Sequence, residues 1–295
     1  MTIHPKISII TVVYNDKAGL ELTAKSIISQ SQMKDLEWII IDADSTDGTK
    51  EVISQYKEYT TYAISEPDNG IYDAMNKGIR LAKGEYILFI NAGDALADKH
   101  VIEEVIKDPV FGSVDYISGN TYFTEGGEII GKHLSPEHIT GAYFFCNSLS
   151  HQSTLIKTKK IKETGYDTKY SITADAKFFF EDIIIRNASY YKSNIFISKY
   201  DVTGVSSNNA NLTNRERECF IAELLPKRIL EDYSCLVYGE TVLEKINIKL
   251  KKRGIRHKLI SLISILLYSP TAIANRVKLK FKSIKRKNEH KQRGK

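Results

Sequence analysis

The chain has 295 residues, of which 42% are hydrophobic and 26% charged, which is the balance of a globular protein with one large domain or two. Its three cysteines lack metal-ligand spacing and fit a reducing cytosol, and the first residues lack the basic-then-apolar layout of a secretion signal. Residues 245–295 carry 17 Lys and Arg against one acid, which leaves −10 for residues 1–244 because the whole chain carries +6. This division argues against a uniformly basic nucleic-acid binder and predicts a tail that meets an anionic surface.

Apolar runs and helical spacings alternate along the first hundred residues. The β-branched run 7–14 predicts a central strand that is buried on both faces. Further strands are predicted at 38–41, 62–64 and 86–90, with helices at 18–30, after residue 49 and at 70–82. Strands that alternate with helices of this length predict βαβ units and therefore a mostly parallel sheet.

Each predicted strand ends in polar residues. These residues are Asn15, Asp42 and Asp44, Glu66 and Asp68, and Asp94. Ligands of open α/β sheets bind outside the carboxyl ends of the strands, so this edge predicts a site for a polar ligand with a cation such as Mg²⁺ or Mn²⁺. For Asp94 the alternative is a cap on a helix that begins near Asp98. The P-loop and dinucleotide glycine motifs are absent, which argues against P-loop NTPases and classical dehydrogenases.

Four stretches, in this order, resemble glycosyltransferase family 2. They are ISIITVVYN (7–15), WIIIDADSTDGT (38–49), SEPDNGIYDAMNKGI (65–79) and AKGEYILFINAGD (82–94). The resemblance covers residues 5–120, and 145–190 more loosely, and points to bacterial polysaccharide, O-antigen or colanic-acid-type sugar transferases. It implies a GT-A fold, a nucleotide-diphospho-sugar donor with UDP as the expected carrier, and an inverting transfer assisted by a divalent cation, Mn²⁺ or Mg²⁺.

The resemblance also implies site residues in the first half of the chain. Asp94 stands where the family's last metal-binding Asp lies, although the usual Asp-x-Asp is here Asn91-Ala92-Gly93-Asp94, with one carboxylate. The implied donor-binding positions are Val12, Val13, Asn15, Asp42, Asp44, Asp68, Asn69, Tyr72 and Asn91. Whether Asp42 or Asp44 contacts the nucleobase is left open.

The second half is expected to supply the acceptor site and the base. Residues 147–153 resemble a family strand that carries His151 and Gln152, with an acceptor-site or metal-site role, and the alternative for His151 is a structural histidine. Asp175 resembles the family's acid at a helix start and is the predicted base, because inverting transfer needs a carboxylate that removes the acceptor hydroxyl proton. Its alternative is a first-turn Asp, capped by Thr173, that only complements the helix dipole. Asp182, on the same helix, is predicted to lie on the surface.

Residues 201–211 form a polar stretch that we predict to be a flap over the donor, with a plain connector as the alternative. Beyond about Arg215 the pattern is helical, and the apolar face at 258–268 is about half of the ~20 residues that span a bilayer. Because basic clusters flank it, it predicts an interfacial helix on inner-leaflet anionic lipid. The alternative is a core helix with a solvated basic end. No aromatic stacking pattern accompanies the charge, so no nucleic-acid partner is predicted.

These observations predict an α/β GT-A glycosyltransferase, cytoplasmic and peripheral on the inner face of the membrane. Its parts are a nucleotide-sugar-binding half (1–115), an acceptor-binding and catalytic half (116–214) and a helical, basic, membrane-associating region (215–295), and its acceptor is polyprenyl-linked or a glycan. One alternative is a sugar-nucleotide-forming nucleotidyltransferase, whose usual Gly-rich loop with a basic residue after the first strand is absent. The other is a non-catalytic sugar-nucleotide or membrane-binding module with vestigial carboxylates.

Overall fold

The computed structural model describes residues 4–202 and 209–238, with side chains up to residue 232. The strands are β1 (Ile7–Val13), β2 (Leu36–Asp42), β3 (Tyr62–Ser65), β4 (Tyr86–Phe89), β5 (Ala95–Leu96), β6 (Tyr116–Glu125), β7 (Glu128–His133), β8 (Thr154–Lys157) and β9 (Tyr190–Asp201). The helices are α1 (Lys17–Ile28), α2 (Thr49–Gln55), α3 (Ile71–Leu81), α4 (Val101–Lys107), α5 (Gly141–Cys146), α6 (Thr158–Thr164), α7 (Ala174–Phe179), α8 (Ala210–Leu224) and α9 (Lys227–Tyr238).

The strands form one sheet in the order β3-β2-β1-β4-β8-β6-β9-β5, with β7 paired to β6. Strands β3, β2, β1 and β4 are parallel, so their carboxyl ends meet at one edge, as the sequence predicts. The other half is mixed, because β8 is antiparallel to both β4 and β6, whereas β9 is parallel to β6. Strand β5 pairs antiparallel with the end of β9 and thereby brings that end beside the edge of the parallel half.

Both faces of β1 are covered by helices, which is why all seven of its residues are buried. Ile7 and Ile9 belong to a core cluster that includes Leu20 of α1 and Val101 of α4. On the opposite face, α3 lies so close that a Cβ on Gly78 would stand 2.5 Å from Cγ2 of Ile10. A glycine is therefore required at this contact, and α3 carries its first turn to the ligand edge of the sheet.

One alternative and one prediction about local structure are wrong. Helix α4 begins at Val101 with His100 before it, so Asp94 is not a helix cap, and it accepts a hydrogen bond from the backbone N–H of Asp201 instead (3.2 Å). The segment predicted as a strand carrying His151 is a 3₁₀ turn, His151–Ser153, and β8 starts only after it. A turn at this point directs His151 and Gln152 differently from a strand, in which alternate side chains point to opposite faces.

The predicted surface position of Asp182 is also wrong. Helix α7 continues as a π-helix over Phe180–Ile185, and Asp182 within it is 2% exposed. Its carboxylate accepts a hydrogen bond from the hydroxyl of Tyr116 (2.6 Å), and Lys160 and Arg186 lie 3.5 and 3.8 Å from it. A buried carboxylate is tolerated here because it is both hydrogen-bonded and paired with positive charge.

Residues 1–224 form one compact unit, and a second begins at Leu225, of which the structure describes α9. The predicted boundary at 214/215 therefore falls inside α8. The predicted interfacial helix at 258–268 and its basic flanks lie outside the described residues. Within the described ranges, every helix is too short or too polar to cross a bilayer.

Candidate active site

The carboxylate of Asp175 lies at the start of α7 and is held from three sides. Oδ2 is 2.8 Å from Nδ1 of His151, and Oδ1 accepts hydrogen bonds from the hydroxyl of Tyr72 and the N–H of Ala176, both at 2.8 Å. Burial raises the pKa of Asp175, but the hydrogen bonds from His151 and Tyr72 outweigh it, so this pKa lies below its ordinary value. The group is therefore an ionised carboxylate at neutral pH.

His151 connects Asp175 to the end of β4. Because an ionised carboxylate only accepts hydrogen bonds, Nδ1 carries a proton towards Asp175, and Nε2 on the other side of the ring lies 3.3 Å from Nδ2 of Asn91. The ring also meets Phe89 edge-on, with centroids 6.4 Å apart. Oδ1 of Asn91 is buried and has no hydrogen-bond partner in the described residues. An oxygen in that position fits a cation or a ligand hydroxyl, since a buried acceptor left unpaired is costly.

Asp94 is 5% exposed, and its carboxylate is contacted by neutral donors, the N–H of Asp201 and the side-chain amide of Gln152. Burial raises its pKa to about 7, although His151 and these donors act in the opposite direction. Among the described residues, no three His, Cys, Asp or Glu side chains are grouped to hold a metal ion. A divalent cation at Asp94 would therefore need further oxygens, for which Oδ1 of Asn91 and a diphosphate are suited.

Asp42 and Asn15 fix the loop between β2 and α2. Asp42 is fully buried and accepts hydrogen bonds from Ser45 (N–H and hydroxyl) and from the hydroxyl of Ser65 (2.6 Å). Asn15, at φ 48°, accepts from the N–H of Thr46 (2.8 Å) and donates its own N–H to Ser45 (2.8 Å). Both side chains therefore hold this loop in its conformation.

Asp44 differs from Asp42 because its side chain is 50% exposed, at φ 59°, with Nζ of Lys50 at 2.5 Å. The backbone carbonyls of Val12 and Val13 bind the N–H groups of Ala92 and Ala43 at 3.1 and 3.0 Å. Those two valines therefore join the polar loops to β1. Only Asp44 of the two candidate acids at this loop presents its carboxylate to solvent.

The predicted residues at the start of α3 lie in two different environments. Asp68 accepts from the N–H of Gly70 (2.8 Å), and Asn69 donates to Asp73 (3.0 Å), so both organise the exposed start of α3. Tyr72 is 6% exposed and points inward, where its hydroxyl lies 2.7 Å from the carbonyl of Ile172 and 2.8 Å from Asp175. Tyr72 thus belongs with the carboxylate of α7 rather than with the loop.

Gln152 is 7% exposed and joins this group through Asp94 and through Ser150, whose hydroxyl lies 3.0 Å from Oε1. Of the predicted residues, the structure brings together Tyr72, Asn91, Asp94, His151, Gln152 and Asp175, while Asn15, Asp42, Asp44, Asp68 and Asn69 belong to two neighbouring loops. The predicted flap begins at Asp201, and residues 203–208 of it lie outside the described residues.

Two further residues near these groups were not predicted from the sequence. Tyr14 was predicted to lie within the buried strand 7–14, but β1 ends at Val13 and Tyr14 is 66% exposed. Glu216 of α8 accepts hydrogen bonds from residues 171–173, just before Asp175. No local pattern marks Glu216, because its partners lie more than forty positions away in the chain.

Residues 8–183 match the family model described as Glycosyl transferase family 2. The chain belongs to glycosyltransferase family 2. It is accordingly a glycosyltransferase with the GT-A fold, and the resemblance, fold class and enzyme class expected from the sequence are confirmed. Neither the nucleotidyltransferase nor the non-catalytic module agrees with this family assignment.

Individual family members and solved structures show how far the likeness extends. An uncharacterized glycosyltransferase of Mycobacterium tuberculosis is 30% identical over 223 residues, 70% of this chain and 79% of that protein. The poly-beta-1,6-N-acetyl-D-glucosamine synthase of Staphylococcus epidermidis is 29% identical over 183 residues, 57% of this chain but 43% of the synthase. This glycosyltransferase chain therefore matches less than half of that synthase.

Two solved structures share the fold. S. aureus TarS 1–349 in complex with UDP-GlcNAc superposes with a TM-score of 0.58 at 16% identity, over 84% of this chain and 77% of that one. The mannosyltransferase PcManGT from Pyrobaculum calidifontis, in complex with GDP-Man and Mn²⁺, gives a TM-score of 0.52 at 16% identity, over 68% and 57%. At these identities the likeness establishes the fold alone.

Proposed function

We propose that this glycosyltransferase is an inverting, cation-assisted enzyme that transfers a sugar from a nucleotide-diphospho-sugar to a hydroxyl of a lipid-linked or surface-glycan acceptor. The observation that carries the proposal is the chain of contacts from Asp175 through His151 to Asn91, with Asp94 beside it. It connects an ionised carboxylate on α7 with the edge of the sheet where the parallel strands end. A base and a donor site must be neighbours for a single displacement to occur.

Asp175 is the proposed base. Its carboxylate is ionised, its side chain keeps 14% exposure, and Oδ2 accepts one hydrogen bond from a protein group and so retains a lone pair. The acceptor oxygen attacks the anomeric carbon from the face opposite the diphosphate, the bond from that carbon to the phosphate oxygen breaks, and the acceptor proton passes to Asp175. The result is an inverted glycosidic bond and a nucleoside diphosphate.

UDP is the proposed carrier, and the structure of TarS with UDP-GlcNAc supports it. In this chain the nucleobase and ribose would lie on the loop that Asn15 and Asp42 hold, with the exposed ring of Tyr14 and the carboxylate of Asp44 nearest to solvent. Val12 and Val13 would support this surface through their backbone, and Asp68 and Asn69 through the hydrogen bonds that order the start of α3.

A divalent cation, Mn²⁺ or Mg²⁺, is proposed at Asp94 and Asn91, where it would offset the negative charge of the leaving diphosphate. The buried carboxylate with a raised pKa and the unpartnered oxygen of Asn91 both fit such an ion. The complex of PcManGT with Mn²⁺ supports the same assignment. The side-chain amide of Gln152 also donates a hydrogen bond to the carboxylate of Asp94.

The proposed acceptor and location are supported by the tail sequence and by the relatives. The S. epidermidis relative is named for synthesis of a polysaccharide, which supports a glycan or polyprenyl-linked acceptor. The basic residues of 245–295 and the apolar residues at 258–268 suit attachment to the anionic inner leaflet, where such acceptors lie. The protein would then work in the cytoplasm as a peripheral membrane enzyme.

The decisive experiment combines donor binding with turnover. UDP-GlcNAc, UDP-Glc, UDP-Gal and GDP-Man are screened for thermal stabilisation with and without Mn²⁺, and the best of them is tested for release of nucleoside diphosphate. Asp175→Asn should bind that donor and release about 10²–10⁴-fold less product. The control, Asp167→Asn, alters an Asp paired with Lys177 of α7 and should stay near wild type. Turnover by Asp175→Asn at the wild-type rate would remove Asp175 from the mechanism.

A further inference from the structure

The segment that leads into α7 is held by one carboxylate from α8. Glu216 accepts five hydrogen bonds from three consecutive residues, 171–173. Oε1 receives the N–H and the hydroxyl of Ser171 at 2.8 and 2.7 Å. Oε2 receives the N–H of Ile172 and both the N–H and the hydroxyl of Thr173, all at 3.0 Å.

Among these donors, the N–H of Thr173 lies directly before α7, where backbone N–H groups have no intrahelical partner. Thr173 precedes α7 and makes no side-chain cap bond of its own, because its hydroxyl is turned to Glu216. Burial raises the pKa of Glu216, but the hydrogen bonds from Ser171, Ile172 and Thr173 outweigh it and leave this pKa below its ordinary value. We call these five hydrogen bonds between Glu216 and residues 171–173 the clamp. Its acceptor is charged, and charge-assisted hydrogen bonds are shorter and stronger than neutral ones.

The clamp reaches Asp175 through Ile172. The N–H of Ile172 binds Glu216, and its carbonyl lies 2.7 Å from the hydroxyl of Tyr72, which is also 2.8 Å from Oδ1 of Asp175. A hydroxyl has one proton, so the carbonyl and the carboxylate share the same donor. The position of Ile172 therefore determines how much of the hydrogen bond of Tyr72 goes to Asp175, and three residues later the same backbone carries Asp175 itself.

We infer that Glu216 is a positioning residue for the base, which holds the 171–173 turn so that Asp175 and Tyr72 keep their geometry. The inference rests on the proposed function of Asp175. It adds that α8, which follows the predicted flap, is a part of the catalytic half and holds the turn that precedes α7. Displacement of a reacting group by about 1 Å can cost about 10²-fold in rate, so a single clamp on the preceding turn is enough to matter.

Helix α8 has an anchor that does not depend on Glu216. Phe220 is fully buried, and its ring meets those of Tyr170 and Phe180 with centroids 6.1 Å away in each case. Removing Glu216 should therefore leave α8 docked and the fold intact. Glu223, two turns further along α8, provides a matched control, because it binds Lys169 and the hydroxyl of Tyr170 (2.6 Å) but none of residues 171–173.

The test compares Glu216→Ala and Glu216→Gln with Glu223→Ala and Glu223→Gln in the full chain. Each variant is measured for turnover of UDP-GlcNAc, UDP-Glc, UDP-Gal and GDP-Man with Mn²⁺, and for hydrogen exchange in the peptide that covers residues 169–180. We expect both Glu216 variants to lose about 10- to 100-fold in kcat with KM for the donor unchanged. We also expect faster exchange at 171–173 and melting temperatures close to those of the Glu223 variants. Glu216→Asp, which keeps the charge, should recover part of kcat.

The outcomes separate this inference from the proposed function. If Asp175→Asn is inactive while Glu216→Ala matches Glu223→Ala in kcat, the inference alone is wrong. If Asp175→Asn keeps its turnover, both the base and its positioning residue are wrong. If wild type turns over none of the four donors, hydrogen exchange still decides, because unchanged protection at 171–173 in Glu216→Ala would overturn the clamp.

Discussion

Nδ1 of His151 lies 2.8 Å from Oδ2 of Asp175, across 24 positions of the chain and between two different elements. The 3₁₀ turn before β8 supplies the ring, and the first turn of α7 supplies the carboxylate. Because Asn91 lies on the other side of the ring, this one side chain joins the proposed base to the proposed donor edge. The role of His151 can therefore be tested with substitutions that each keep a nitrogen at only one of the two ring positions.

We expect His151→Asn to keep more activity than His151→Gln. The amide nitrogen of Asn reaches approximately the position of Nδ1 and can still donate to Asp175, whereas that of Gln corresponds to Nε2. His151→Gln should lower kcat about 10- to 100-fold, because the carboxylate loses its fixed orientation. The measurement is release of nucleoside diphosphate at saturating donor. Equal rates for the two variants would show that the contact with Asp175 does not matter.

The raised pKa of Asp94 predicts how the stability of the metal-free protein depends on pH. Its pKa is about 7 in the folded chain, against about 3.9 for an unfolded Asp, so between these values the folded state holds more protons. The contribution of Asp94 to the free energy of unfolding therefore falls as pH rises across this range, by at most about 4 kcal/mol, and levels off above pH 7. Asp94→Asn should remove this slope.

The slope is measured by urea denaturation between pH 4 and pH 8 in the presence of a chelator. The control is Asp98→Asn, which changes an exposed carboxylate four residues on and should leave the slope as it is in wild type. A wild-type protein whose stability rises steadily from pH 4 to pH 7, with Asp94→Asn behaving alike, would contradict the raised pKa.

Because Asp182 is buried and hydrogen-bonded, we expect its replacement to lower stability strongly rather than activity. Asp182→Ala would leave the buried hydroxyl of Tyr116 without its 2.6 Å partner and Lys160 without its nearby carboxylate. We expect the free energy of unfolding to fall by about 2–4 kcal/mol. Glu181→Ala, which removes the neighbouring and more exposed partner of Arg186, should cost less than about 1 kcal/mol. Similar losses in the two variants would mean that Asp182 is not buried as described.

The basic tail predicts binding to anionic membranes. A chain that ends near Gly254 lacks the apolar residues at 258–268 and all of the basic residues that follow them. In flotation with vesicles that contain phosphatidylglycerol, we expect the full chain to float and the shortened chain to stay below. Vesicles of phosphatidylcholine alone are the control, and neither the full chain nor the shortened chain should float with them. Flotation of the shortened chain with anionic vesicles would disprove the anchor.

The strands and the ligand edge could be predicted because their signals are local. A β-branched apolar run such as 7–14 can be buried on both faces only as a central strand, and parallel strands must bring their polar ends, among them Asp42 and Asp94, to one edge. The family motifs added the expectation that Asp94 and Asp175 belong to one site. Roles could not be predicted as well, because Asp42 and Asp44 look alike in sequence, whereas one is fully buried and the other exposed.

By itself, then, the sequence determined the four parallel strands, the acidic edge and the family, since each depends on residues that are neighbours in the chain. Only the tertiary structure decided which carboxylates are partnered, and by what. Asp182 is buried against Tyr116, Asp175 is bound to His151 and Tyr72, and the turn before it is held by Glu216. The physical reason is that burial and pairing of charge are settled by packing between distant segments, on which local propensity has no bearing.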